Sequence, residues 1–163
     1  MQIHGWSELF KKFEKKVNMP GKIDYEADIL AWSREQAQLL KAGRFDELDF
    51  EHLAEEIEDV GKSEQRELAN RMAVLLAHLL KWQHQPGRRG ASWEVTIRNQ
   101  RKGIIRRLSK TPSLKADLQD TDWWESVWED ATAQVAEETG LSDFPEHCPW
   151  PREQVLGLDW LPD

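Results

Sequence analysis

Between Asp49 and Gln85 one face of the chain repeats. Phe50, Leu53, Ile57, Val60, Leu68, Leu75, Leu79 and Trp82 recur at intervals of three, four, seven or eight residues, and Pro86 and Gly87 close the run. That spacing places apolar side chains along one side of an α-helix. Gly61 is the one point in the run where a bend or break is expected. Alternation at period two is nearly absent elsewhere, so the fold class read from the pattern is all-α.

Four further stretches carry the same period. Trp6, Leu9, Phe10, Phe13 and Val17 form a short amphipathic helix backed by Lys11, Lys12, Lys15 and Lys16, and "NMPGK" breaks it. A second helix is predicted from an Asp24 cap to Ala42, with Ile29, Trp32, Leu39 and Leu40 inward and Gly43 as its stop. Ser92 is predicted to cap a helix carrying Trp93, Ile97, Ile104 and Leu108. Ser113 is predicted to cap a last helix through Leu114, Leu118, Trp124, Trp128, Ala131 and Val135, with a possible break near "QDTD" and Gly140 at its end. The tail "FPEHCPWPREQVLGLDWLPD" has four prolines and too much apolar surface to hang free. It should run extended over the bundle with a turn of helix at 152–156, burying Trp150, Trp160 and Leu161. The architecture expected is an antiparallel four-helix-type bundle with an extra N-terminal amphipathic helix and an extended Pro-rich C-terminal tail. Residues 1–22 would be that helix and its hinge, and 23–163 a single domain including the tail.

Composition narrows the class. At 163 residues, with 39% hydrophobic and 32% charged residues, the chain can bury its own core. No apolar run approaches the ~20 residues of a membrane span, and the N-terminal stretch has no secretory pattern. The single cysteine, Cys148, has no internal disulfide partner, and a cytoplasmic location is expected.

Three longer stretches together carry a resemblance: "YEADILAWSREQAQLLKAGRFDELDFEHLAEEIEDVGKSEQREL", "LLAHLLKWQHQPGRRGASWEVTIRNQR" and "ETGLSDFPEHCPWPREQVLGLDWLP". They resemble the bacterial domain-of-unknown-function family twenty-nine over about residues 23–162. The N-terminal amphipathic helix falls outside the likeness. The resemblance implies an all-helical domain, and it implies neither an activity nor a catalytic residue.

Motifs for catalysis are missing. There is no phosphate-binding glycine loop and no G-x-S-x-G elbow, and Cys148 lies in a proline-rich tail rather than at a helix start that would activate it. No metal or other cofactor is expected. His52 and Glu55 have the i, i+3 spacing of a carboxylate–histidine pair, but their phase sets them on a solvated acidic face. His147 and Cys148 supply at most two zinc ligands.

Polar residues within apolar stripes are the better signal, because an unpaired polar group there is costly. Gln36, Glu64, His78 and Gln100 fall in or beside such stripes, and Trp82 and Arg107 lie near them. Glu64 is expected to be inward and paired with Arg107. A hairpin with its turn at 86–91 sets His78 beside Gln100. These residues are a closed structural network or, as a lesser reading, a metal- or ligand-binding enzyme pocket around Glu64, His78, Trp82 and Gln100.

Residues 75–108 hold eight Lys or Arg and one acid, Glu94, in a chain of formal net charge −8. Arg98, Lys102 and Arg106 share one face, and Arg88 and Arg89 extend it. The acids expected to neutralise them are Asp117, Asp120, Asp122 and Glu125. The leading functional reading is a protein–protein interaction module with a protein partner or a homo-oligomer contact. A nucleic-acid-associated protein using the stripe at 88–106 is the alternative, disfavoured by the acidic chain.

Overall fold

A computed structural model describes residues 22–163. The expected helix over Trp6–Val17 lies outside the described residues. The described residues divide into two compact units, 22–56 and 57–163, with the division inside one long helix. Every regular element among the described residues is helical, and the protein is all-α. No helix there is long and apolar enough to cross a membrane.

In the first unit, helix α1 spans Ile29–Ala42. Its cap is Asp28, which accepts from the Ala31 N–H at 2.9 Å, rather than the expected Asp24. Asp24 instead closes a preceding turn. Its carboxylate accepts from the Glu26 N–H, and its carbonyl accepts from the Ala27 and Asp28 N–H groups. Gly43 stops α1 as expected, in the left-handed region at φ 71°. Of the predicted apolar stripe only Trp32 and Leu39 are buried, joined by Leu48, whereas Ile29 and Leu40 face solvent.

Helix α2 runs Phe50–His84 without interruption. Gly61 does not break it. A Cβ there would meet nothing within 4 Å, so this glycine faces open space, and its only penalty is the ~1 kcal/mol of intrinsic propensity. The predicted stripe fails in its first half: Phe50, Ile57 and Val60 are exposed. From Leu68 onward it holds, and Leu68, Leu75, Leu76, Leu79, Leu80 and Trp82 are buried.

The second unit adds α3 (Ala91–Lys110), α4 (Thr121–Thr139) and the short α5 (Arg152–Leu156). Ser92 does not cap α3. Gly90 sits at that boundary, its carbonyl taking the Trp93 and Glu94 N–H groups. The stretch from Ser113 is not α-helical at its start. Two 3-10 turns, Pro112–Lys115 and Asp117–Gln119, precede α4, whose cap is the Asp120 carboxylate on the Asp122 and Trp123 N–H groups. Gly140 ends α4 at φ 75°.

Inward faces of α2, α3 and α4 meet in one core with Ile97, Ile104, Trp124, Val127, Trp128 and Val135, and the tail crosses it. Val155 is fully buried, and Trp150, Trp160 and Leu161 pack against the core with most of their surface covered, as expected. Trp128, Trp150 and Trp160 meet edge-on in series at 5.8 Å between ring centroids. The Trp128 indole N–H donates to the Pro145 carbonyl at 2.9 Å, fixing where the tail enters.

Candidate functional site

Gln36 is inward, as its phase requires, at 1% exposure. Its side-chain oxygen accepts the Asp49 N–H at 2.8 Å, and its Nε2 has no partner. Asp49, just ahead of α2, gathers the rest of this cluster. Its carboxylate accepts from the Trp32 indole N–H (3.2 Å), the His52 Nδ1–H (2.8 Å) and the His52 backbone N–H (3.4 Å). Tyr25 stacks on the His52 ring at 4.1 Å, and its hydroxyl donates to Glu56. His52 is therefore half-buried inside a network, not out on a solvated acidic face. Its phase on α2 points away from the apolar stripe, and the tyrosine that covers it comes from ahead of α1, which periodicity cannot show.

This geometry sets the charges. Burial works to raise the Asp49 carboxyl, but the hydrogen bonds from His52 and Trp32 outweigh it and hold it low. The bond to Asp49 raises His52 above its ordinary 6.5. The bond to Glu56 pushes the Tyr25 hydroxyl up to about 12. Because the folded state holds the His52 proton more tightly, the contribution of His52 is complete below 6.5 and fades as pH rises through the raised value. Melts of the protein from about pH 5 to about pH 8 should show that loss, and His52→Gln should abolish it. An NMR titration placing His52 at or below 6.5 would contradict the arrangement.

In the second unit Glu64 pairs with Arg107, the partner expected. The pair is not buried: the Glu64 side chain is 40% exposed. Arg107 also approaches Glu67 (3.6 Å), which holds Arg71 Nε at 2.8 Å, and Arg71 Nη1 donates to Gln100 at 3.4 Å. These bonds join α2 to α3 in antiparallel order. His78 makes no bond to Gln100. Its Nδ1–H donates to the Val74 carbonyl of its own helix at 2.8 Å, and burial lowers its pKa. Trp82 is buried beneath Arg89, which stands over its ring at 5.4 Å and donates to its carbonyl at 2.8 Å. Glu64 and Gln100 thus meet arginines at one place, while His78 and Trp82 are engaged elsewhere. Among the described residues no group of three or more His, Cys, Asp or Glu is placed to hold a metal ion.

Two buried cations escaped the sequence reading. Lys81 donates to Glu138 at 2.7 Å with its ammonium 5.8 Å from the Trp93 ring, and Arg101 is 1% exposed. Arg101 had a signal: it falls in phase with Ile97, Ile104 and Leu108, one position beyond the Gln100 singled out.

The predicted basic stripe is divided. Arg88 is exposed in the loop, Arg89 turns to Trp82, and Arg98 lines a shallow depression with Glu94 and Asp159. Lys102 and Arg106 instead line a cleft of about 440 Å³ with Arg71, Arg107 and Lys110. The expected neutralising acids do not serve. The Asp117 carboxylate accepts from Gln65, Asp120 caps α4, and Glu125 faces His147. The acids that reach this basic group are Glu64 and Glu67, from α2.

The molecule is thus an all-helical protein with an Asp49-centred polar network in one unit and a basic cleft in the other. The chain belongs to the family described as Domain of unknown function DUF29, whose model matches residues 25–161. No curated protein and no solved structure matches it.

Proposed function

We propose that the chain is a protein–protein interaction module that associates with a second copy of itself through its first unit. The observation that supports this is an inverted balance of apolar surface. Ile29, Leu30, Leu40, Phe45 and Phe50 are exposed by 47–65%, whereas among the described residues of this unit the large apolar side chains that are buried are Trp32, Leu39 and Leu48. Several large apolar side chains left exposed in one small unit favour a contact surface. A second copy is the simplest occupant, because every chain brings the same uncovered side chains and a two-fold contact pairs them with themselves.

Light scattering on the full chain should give a dimer, and a Leu30→Asp, Phe45→Asp double variant should give a monomer of the same helical content. These positions are exposed, so the substitutions spare the fold. A full chain that stays monomeric at sub-millimolar concentration removes the proposal.

A further inference from the structure

We propose that the cleft between α2 and α3 in the second unit binds a compact polyphosphate, such as pyrophosphate or the phosphate chain of a nucleotide. Arg71, Lys102, Arg106, Arg107 and Lys110 line about 440 Å³ of space, with Glu64 as the acid among them. Glu64 and Glu67 engage Arg107 and Arg71, which fixes the two guanidinium groups in place. Lys102, Arg106 and Lys110 make no ion pair with any described residue. The three are exposed cations spaced one helical turn apart along α3, so an anion with several negative oxygens can meet more than one of them at once.

Two details make this a formed seat rather than a charged surface. A Cβ on Gly103 would stand 2.7 Å from Arg71 Nη1, so the arginine head lies where any other residue would place a side chain. It is held there by Glu67 on one side and Gln100 on the other. The second detail is Arg107 Nε, a buried donor with no acceptor, in a residue that lines the cleft. Buried N–H groups are nearly always paired, so this donor leaves the arrangement one acceptor short. Planar guanidinium forks suit phosphate oxygens, and the lysines add point charges.

The chemistry of the lining also limits the ligand. None of its residues is aromatic, so no base or ring is offered a stacking partner. Asn99 and Thr111 are its neutral polar members. Recognition therefore rests on the phosphates. The other arginines of the sequence stripe lie outside the cleft, so it does not continue as a track for a nucleic-acid backbone.

Isothermal titration of the full chain with pyrophosphate, adenosine triphosphate, adenosine and a single-stranded oligonucleotide tests this. Pyrophosphate and the triphosphate should bind alike, and adenosine should not bind. Lys102→Gln should weaken pyrophosphate about tenfold or more. Gly103→Ala retains every charge but pushes the Arg71 head from its seat, and a similar loss is expected without a fall in melting temperature. Should Gly103→Ala fail to fold, Lys102→Gln and Arg71→Gln carry the test. Pyrophosphate affinity unchanged in Gly103→Ala, no pyrophosphate binding at all, or binding confined to the oligonucleotide would each overturn the proposal.

Discussion

Replacing Arg101 with Met is expected to release the C-terminal tail and lower the melting temperature by roughly 10 °C. Arg101 is 1% exposed, and its guanidinium spreads over the end of α5. Nε donates to the Val155 carbonyl at 2.8 Å, Nη1 to Leu158 at 3.4 Å and Nη2 to Gln154 at 3.5 Å. Burial lowers its pKa, opposed in part by Asp159, yet an arginine remains charged. A buried cation with three carbonyls is a balanced arrangement; three carbonyls without it are not. Met keeps the apolar stem and removes the donors, so about 3 kcal/mol or more should be lost. Limited proteolysis should then cut between 144 and 163 well before the helices unfold. Arg101→Lys should rescue only part of this, because one ammonium cannot span three acceptors. An Arg101→Met protein with the parent melting temperature and a protected tail would show that the tail is held by its apolar side chains alone.

That residue also shows where sequence reading reaches and where it stops. The phase 97, 101, 104, 108 places Arg101 inside, but the acceptors that make its burial tolerable come from more than fifty residues away. Gln36 was legible as inward for the same reason, whereas its partner, the Asp49 N–H, follows from the turn between α1 and α2. Glu64 and Arg107 were legible as a pair from hairpin register, but not their exposure, since phase marks a side of a helix and not whether anything covers it. The same limit explains Phe50, Ile57 and Val60. Their spacing is as regular as that of Leu68, Leu75 and Leu79, and only the latter are buried. Most helix ends were read to within a few residues, but the start of α4 was placed at Ser113, two 3-10 turns ahead of its true start at Thr121. Asp24 and Ser92 are good capping residues, but Asp24 is bound into its own turn, and Gly90 already occupies the start of α3. The basic cleft was half visible. Lys102 and Arg106 share a face in any helical reading, while Arg71 joins them only because Gly103 leaves room for its head.

Trp32→Ala is expected to unfold the first unit while the core of the second stays closed. Among the described residues of the first unit the buried apolar side chains are Trp32, Leu39 and Leu48, and Trp32 is the largest. Truncating a buried tryptophan costs about 3–5 kcal/mol. The loss extends beyond packing. Trp32 meets the Tyr25 ring edge-on at 4.9 Å and donates to Asp49, so its removal deprives both residues of a partner. Asp49 holds His52 and begins α2, so the start of that helix should fray as well. Hydrogen exchange reads this directly: amides of Trp32–Leu40 should lose protection, while those of Leu75–Leu80 should keep theirs. Trp32→Phe separates the two contributions. It retains most of the apolar area but cannot donate to Asp49, and should cost about 1–2 kcal/mol. Its Asp49 carboxyl should also titrate higher than in the parent, since one of the bonds that hold it low is gone. Equal protection of Trp32–Leu40 in Trp32→Ala and the parent would mean that the first unit is held by something other than this side chain.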